Sequence, residues 1–266
     1  MIPQLGLGTF RIKGQKITDI VEQAIDIGYR HIDTAQFYEN EADVGKALAN
    51  TSIKRDNLFV TTKVWHENLK RQPLIDSLKR SCDHLQVDQV DLGLIHWPSP
   101  DNEVRLETYM EALMEAKSQG LTKHIGVSNF PTDLLRKADQ IVGPGNILTN
   151  QVELHPFMQN DAVQAACKSL NIQVTAYMPL AVGKVMEDDT LKRIAVDHDA
   201  SAAQVAIAWL LHKGIIAIPS TTKTSHLRSN FDAQQLSLSE DEMVAIDQLN
   251  RNERIVDPDF APQWDN

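Results

Sequence analysis

Three ionisable side chains, Asp33, Lys63 and His96, stand 30 and 33 residues apart, and Tyr38 follows closely after the first. Each of the three ends an apolar, strand-like run; the runs are Tyr29–Asp33, Leu58–Lys63 and Val90–His96. Intervals of about 30 residues are typical of one strand-plus-helix unit. The pattern therefore predicts one ionisable side chain at the carboxyl end of each of three successive strands, where parallel β/α barrels build their active sites.

Together these side chains could deliver a proton to a carbonyl oxygen. A tyrosine hydroxyl, with an ordinary pKa of about 10, keeps its proton at neutral pH. A lysine cation beside Tyr38 would favour the phenolate and lower that pKa, and a carboxylate would keep the lysine charged. An imidazole N–H from His96 could polarise the same oxygen. Reduction also needs a hydride, which a nicotinamide cofactor supplies and no side chain does.

Each residue taken alone also has a structural explanation. Asp33 could be a turn or helix-cap residue, Lys63 a solvated strand end, and His96 a structural hydrogen-bonding group. Three such residues at consecutive strand ends, with Tyr38 close behind, favour a joint catalytic role.

Size and composition set the class of protein. The 266 residues are close to the roughly 250 of a (β/α)8 barrel, so we expect one domain over residues 1–266. The net charge of −10 argues against a nucleic-acid partner or an anionic membrane. Cys82 and Cys167 lie in helix-like segments and are expected to be buried, reduced thiols. Without a signal-like start or a membrane-length apolar run, the sequence predicts a soluble, cytoplasmic protein.

Strand and helix signals alternate along the chain. Ile17, Ile20, Val21 and Ala24 show the spacing of one helical face. Capping boxes mark two late helices, at Ser201–Gln204 and Ser239–Glu242, and Pro131 suits the first turn of another. The remaining predicted strands are Gln4–Gly8, Lys123–Val127, Thr149–Gln151, Ile172–Tyr177 and Ile215–Ile218.

Eight β/α pairs predict the α/β class and a (β/α)8 TIM barrel. A doubly wound open sheet is the competing architecture, and it would carry a glycine-rich phosphate loop after its first strand. The segment Gly6-Leu7-Gly8-Thr9-Phe10-Arg11 lacks the third glycine of that loop, which favours the barrel.

Motifs along almost the whole chain, in order, resemble those of the aldo-keto reductases. The first is Asp33-Thr34-Ala35-x-x-Tyr38-x-Asn40-Glu41. The others are Thr62-Lys63-Val64-Trp65, Leu94–Pro98, Ile125–Phe130 and Asn150–Pro156. The resemblance implies a (β/α)8 barrel that reduces aldehydes and ketones with NADPH. It implies a catalytic tetrad of Asp33, Tyr38, Lys63 and His96, the set reached above from chemistry.

The resemblance also implies a nicotinamide site. Ser128, Asn129 and Gln151 would hydrogen-bond the carboxamide, and Tyr177 would stack on the ring. The full set of implied cofactor residues is Thr9, Asp33, Ser128, Asn129, Gln151, Tyr177, Met178, Leu180, Ser220, Thr221, Thr222, Lys223, His226 and Asn230.

Two cofactor segments depart from the family pattern. Met178 and Val182 stand where the loop over the pyrophosphate often has serine, and Ser220 and His226 replace a lysine and an arginine of the phosphate pocket. Lys223 lies at a predicted helix start and could replace the lost cations. No acidic residue stands in this stretch to hold a bare ribose hydroxyl, which favours NADPH over NADH.

The walls of the substrate pocket implied by the resemblance are Phe10, Tyr38, Trp65, His96 and Trp97. The C-terminal segment Asp257–Trp264 is short for the family, which suggests an open pocket for small or polar carbonyls. Members of this size are mostly monomers, so a monomer is expected.

Two other classes of function remain open. A metal-dependent barrel hydrolase would need several converging His and carboxylate ligands, and the sequence has no His-x-His pair at a strand end. No metal site is expected. A non-catalytic NADPH-binding barrel is the second alternative, because a fold does not guarantee activity.

Overall fold

The computed structural model describes residues 1–265, which form a sheet of eight parallel strands in sequential order. Leu5 forms a parallel bridge with Ala217, and the Gly6 amide donates to the Ala217 carbonyl at 2.9 Å, which closes the sheet on itself. The predicted (β/α)8 barrel is confirmed. The strands are β1 (Leu7–Gly8), β2 (His31–Asp33), β3 (Phe59–Val64), β4 (Val90–Ile95), β5 (Thr122–Ser128), β6 (Ile147–Glu153), β7 (Gln173–Tyr177) and β8 (Ile216–Ala217).

Helices pack around the sheet, and the buried residues of the first include Ile17, Ile20, Val21 and Ala24, as their spacing predicts. The helices are α1 (Gln15–Ile27), α2 (Glu41–Asn50), α3 (Arg71–Leu85), α4 (Leu106–Ser118), α5 (Thr132–Val142), α6 (Asp161–Leu170), α7 (Asp189–Asp197), α8 (Ala202–His212), α9 (Thr224–Asp232) and α10 (Glu240–Asp247). Two helices separate β7 from β8 and two more follow β8. The prediction of one helix after each strand therefore does not hold for β7 and β8.

Local signals in the sequence are mostly confirmed. Both predicted capping boxes are present, at the starts of α8 and α10. Pro131 lies one residue outside its helix, as the N-cap residue of α5. β6 extends beyond the predicted Thr149–Gln151 because it pairs with both neighbours over a longer stretch. Cys82 and Cys167 are buried free thiols, as expected.

The inward rows of the strands lead from the core to the functional end of the barrel. Side chains alternate across a strand, so the row that begins at Phe59 reaches Lys63, and the row through Leu92 and Leu94 reaches His96. The apolar members of this inner cluster are Ile2, Phe59, Leu92, Leu94, Ile216 and Ile218. The ionisable residues therefore stand above an apolar floor.

A close approach beside the same end requires glycine at position 8. A Cβ atom added to Gly8 would lie 2.7 Å from the Ile218 carbonyl oxygen, so a larger residue would push β1 away from the end of β8. No helix in residues 1–265 is long and apolar enough to cross a membrane.

Candidate active site

The carboxyl ends of the strands bring the four predicted catalytic residues together. Asp33 is the last residue of β2, Lys63 lies near the end of β3, and His96 directly follows β4. Tyr38 belongs to a short 3-10 turn over Gln36–Tyr38 that leads from β2 into α2.

Lys63 is the centre of this group. Its ammonium pairs with Asp33, donates to the Thr34 carbonyl at 2.9 Å and lies 3.3 Å from the Tyr38 hydroxyl oxygen. Its side chain is fully buried, and these contacts use all three ammonium donors. The second oxygen of Asp33 accepts from Gln151 Nε2 at 2.8 Å. The ion pair is therefore fixed from both sides.

Lys63 keeps its positive charge although its side chain is buried. Desolvation acts to lower the pKa of Lys63, but the carboxylate of Asp33 and the hydroxyl of Tyr38 oppose it, and the net pKa lies above the ordinary value. The cation is therefore present at neutral pH beside the Tyr38 hydroxyl.

The pKa of the Tyr38 hydroxyl is shifted in the direction opposite to the one expected from the sequence. Desolvation by burial raises its pKa, Lys63 lowers it and Asp33 raises it again, so the net pKa lies above the ordinary value of 10.0. The lysine alone acts in the predicted direction, but the sequence does not show how deeply the hydroxyl is buried. Tyr38 thus holds its proton firmly at neutral pH.

His96 is a neutral imidazole beside this hydroxyl. Its ring meets the Tyr38 ring edge-on at 5.6 Å between centroids. Burial, with the nearby charge of Lys63, places the pKa of His96 well below its ordinary value. Nδ1 is buried without a hydrogen-bond partner, which leaves Nε2 as the nitrogen able to reach a molecule in the cavity.

A cavity of about 380 Å³ opens above the four residues. Asp33, Tyr38 and His96 line it directly. Lys63 does not line it but contacts Asp33 and Tyr38. All five residues predicted as substrate walls contribute to the lining. The other predicted site residues that line it are Thr9, Asn129, Gln151, Tyr177, Met178 and Ser220.

Aromatic rings that the sequence reasoning missed complete the cavity. Phe37, half exposed, stacks on Trp65 at 4.0 Å between centroids. Phe260 meets Trp65 and Trp97 edge-on at 5.8 and 5.5 Å. Phe37 directly precedes Tyr38, and that position was the available signal. Phe260 comes from a tail with no regular secondary structure, so nothing in its local pattern pointed to the cavity.

The C-terminal tail changes the expected shape of the pocket. Its shortness suggested an open pocket, but Val256, Pro258 and Phe260 form one wall of the cavity. The tail therefore supplies a wall of the pocket, which its shortness alone did not suggest.

The residues predicted to hold a nicotinamide are connected to one another. Ser128 Oγ donates to the Gln151 carbonyl at 2.8 Å, and Asn129 Nδ2 donates to the His96 carbonyl at 3.0 Å. The Tyr177 hydroxyl donates to Asn129 Oδ1 at 2.8 Å. Ser128 does not line the cavity. The network fixes the Tyr177 ring at the cavity wall, where a flat ring system could stack on it.

The predicted phosphate-binding residues surround the start of α9, and apart from Ser220 they lie outside the cavity. Ser220, Thr222, Lys223 and His226 are exposed, and the Thr221 hydroxyl accepts from the Lys223 amide at 3.1 Å. Asn230 is buried at the far end of this helix, and Leu180 also lies outside the cavity. Ser220 belongs to both regions, so an extended dinucleotide reaching from Tyr177 to α9 fits the arrangement.

The loop after β7 has an unusual backbone. Met178, Ala181 and Val182 all have positive φ without being glycine. Such residues cost about 1–3 kcal/mol each and are often found beside binding sites. Met178, at the start of this loop, lines the cavity.

Within residues 1–265, no group of three or more His, Cys, Asp or Glu side chains converges as a metal site requires.

Comparison with known proteins identifies the family. The sequence model of the aldo/keto reductase family matches residues 4–251, which is most of the chain. This protein belongs to the aldo/keto reductase family. Aldo/keto reductases are oxidoreductases of carbonyl compounds that use nicotinamide cofactors, and the resemblance drawn from the motifs is confirmed.

Individual aldo/keto reductases match over their full lengths. Methylglyoxal reductase DkgB of Escherichia coli O157:H7 is 50% identical over 265 residues, with 99% of each chain covered. Methylglyoxal reductase DkgA of Escherichia coli K12 is 38% identical, with 97% of this chain and 94% of that protein covered. The solved structure of a candidate 2,5-diketo-D-gluconic acid reductase B is 40% identical, with a TM-score of 0.96 and coverage of 100% of this chain and 94% of that one.

Proposed function

We propose that this protein is an NADPH-dependent carbonyl reductase that acts as a single-domain monomer. The observation that carries the proposal is the contact between the charged Lys63 ammonium and the protonated Tyr38 hydroxyl at the cavity floor. When bound, NADPH supplies a hydride to the carbonyl carbon. The residues of the chain then have to hold the carbonyl, provide a proton and exclude water.

Tyr38 is the proposed proton donor. Its hydroxyl gives a proton to the carbonyl oxygen as negative charge develops there. Lys63 stabilises the phenolate that Tyr38 becomes, and Asp33 keeps the lysine charged and in place. His96, neutral at working pH, offers its Nε2 N–H to the same oxygen.

The aromatic walls have two roles in this mechanism. They keep water from the reacting carbonyl, which strengthens the interactions of the tetrad in the cavity. They also limit the size of the substrate. The ring centroids of Phe10 and Tyr38 lie 5.0 Å apart, and Trp97 also lines the cavity.

Specificity for NADPH is assigned to the start of α9. Lys223 stands at the N-cap position, where backbone N–H groups and the helix dipole favour an anion such as the 2′-phosphate. No acidic residue lies between Ile218 and Asn230 to bind a ribose hydroxyl. The backbone amides and hydroxyls of Ser220–Thr222, just before α9, could donate further hydrogen bonds to the phosphate.

Replacing Lys223 with alanine is expected to raise KM for NADPH about fivefold and to leave KM for NADH unchanged. This factor corresponds to ~1 kcal/mol, the upper range for an exposed ion pair. Steady-state kinetics with both cofactors measures the effect. The matched control is Lys168→Ala, which removes an exposed lysine from α6. Equal changes for NADPH and NADH would contradict the assignment.

Small dicarbonyl and ketogluconate compounds are the proposed substrates. Relatives of similar length are methylglyoxal reductases, and a structural neighbour is a candidate 2,5-diketo-D-gluconic acid reductase. We therefore propose reduction of methylglyoxal and of 2,5-diketo-D-gluconate, the latter to 2-keto-L-gulonate. NADPH consumption against these two compounds and an aromatic aldehyde tests the proposal, and kcat/KM should be highest for one of the first two.

A further inference from the structure

We propose that Glu153, the last residue of β6, is a positioning residue for substrate specificity. It anchors the C-terminal tail, defined here as residues 255–265, and thereby sets the outer wall of the cavity. The inference rests on the proposed carbonyl reduction, because the wall matters only if a carbonyl compound binds inside it.

Three donors converge on the Glu153 side chain. Oε1 accepts from the Ile255 amide at 2.8 Å, and Oε2 accepts from the Val256 amide at 2.7 Å. His155 Nε2 lies 2.9 Å from Oε1. Because His155 Nδ1 accepts from the Phe157 amide, the ring proton is on Nε2 and is donated to Glu153.

Burial makes these hydrogen bonds decisive for the position of the tail. The side chains of Glu153 and His155 are both 0% exposed. A buried carboxylate that lost its donors would meet a large desolvation cost. The Ile255 and Val256 amides are therefore held against the Glu153 carboxylate, whose own position is set by β6.

From this anchor the tail forms the outer wall. Val256, the second anchored residue, lines the cavity together with Pro258 and Phe260. Phe260 then contacts Trp65 and Trp97. A shift of the anchor would displace these three residues without touching the tetrad.

The far end of the tail is held separately. Asp265 accepts from the Thr132 amide at 2.9 Å and from its hydroxyl at 2.6 Å, at the start of α5. The Trp264 indole donates to Asp257 at 2.8 Å and lies beneath the Arg254 guanidinium at 3.8 Å. Loss of the Glu153 anchor should therefore loosen the wall segment without releasing the whole tail.

Glu153→Gln is the sharpest test. The amide has nearly the same shape but turns an N–H2 group toward one of the backbone donors. Faster hydrogen–deuterium exchange is expected for the backbone amides of residues 255–257, 259 and 260, since Pro258 has none. KM for an aromatic aldehyde should rise roughly tenfold, the effect of losing apolar pocket contacts. The kcat of the Glu153→Gln variant for methylglyoxal should change less than twofold, because this small substrate does not need to reach the wall formed by the tail.

Asp259→Asn is the matched control, because it makes the same carboxylate-to-amide change at an exposed position of the tail. It should alter neither exchange nor KM. If Glu153→Gln fails to fold, Glu153→Asp, which keeps the charge but is one methylene shorter, carries the same measurements.

Two results would overturn the inference: unchanged exchange at the tail, or faster exchange with the aromatic aldehyde KM unaltered. Failure of the proposed function gives a different result, namely that the wild-type protein reduces no carbonyl compound. The exchange measurement needs no activity and would still decide whether Glu153 anchors the tail.

Discussion

Replacing Tyr38 with phenylalanine is expected to lower kcat for carbonyl reduction by about 10²- to 10⁴-fold, the usual contribution of a positioned general acid. The phenyl ring keeps the wall contact with Phe10, so NADPH binding should not change. Steady-state rates with methylglyoxal and a fluorescence titration with NADPH measure the two quantities.

Tyr29→Phe is a matched control for this substitution. The Tyr29 hydroxyl is also buried and donates to the Leu227 carbonyl at 3.0 Å, and Tyr29 does not line the cavity. Its loss should cost about 1 kcal/mol of folding stability and leave kcat unchanged. A Tyr38→Phe protein that turns over near the wild-type rate would remove Tyr38 from the mechanism.

Replacing Lys63 with methionine is expected to damage both stability and activity. The change leaves the buried Asp33 carboxylate without its cation, and breaking a buried pair in this way costs about 3–5 kcal/mol. The phenolate of Tyr38 also loses its stabilising charge, so kcat should fall by at least ~100-fold. Chemical denaturation and steady-state kinetics measure the two effects.

A double variant separates these two effects. In Lys63→Met/Asp33→Asn the unpaired charge is gone, while the amide oxygen of the new side chain can still accept from Gln151. Most of the lost stability should return, but activity should not, because Tyr38 still lacks its cation. A double variant as unstable as Lys63→Met would show that charge pairing is not what Lys63 contributes to the fold.

The pH profile provides a further expectation. Burial places the pKa of Tyr38 above 10.0, so its proton is held throughout the neutral range. The kcat for reduction should therefore stay level from neutral to moderately alkaline pH and fall only as the phenol ionises. Rates measured in overlapping buffers test this. A fall centred near pH 7 that disappears in Tyr38→Phe would mean that Lys63 outweighs burial.

Much of the barrel and the tetrad could be predicted because both follow from local patterns. The strand-like runs before Asp33, Lys63 and His96 are contiguous, and parallel strands place their ends on one face. Alternation along each strand then points the side chains inward. Such short-range rules hold without knowledge of the tertiary structure.

The remaining features depend on contacts between distant segments. Ile255 and Val256 are more than 100 residues from Glu153, and nothing in the irregular tail predicts that its amides meet a buried carboxylate. The upward pKa shift of Tyr38 depends on how deeply the folded chain buries its hydroxyl, which residue types alone do not show. The extra helix α7 follows a loop with an irregular backbone, and that loop interrupted the expected alternation.

The central claim is that Tyr38, beside Lys63, protonates a carbonyl that receives hydride from NADPH. Its most direct test is a single-turnover experiment in which protein pre-bound to NADPH is mixed with methylglyoxal, and the loss of nicotinamide absorbance is followed. We predict rapid oxidation of one NADPH per chain in the wild-type protein and almost none in Tyr38→Phe. Tight NADPH binding without oxidation by methylglyoxal, 2,5-diketo-D-gluconate or an aromatic aldehyde would contradict the account and indicate a non-catalytic binding protein.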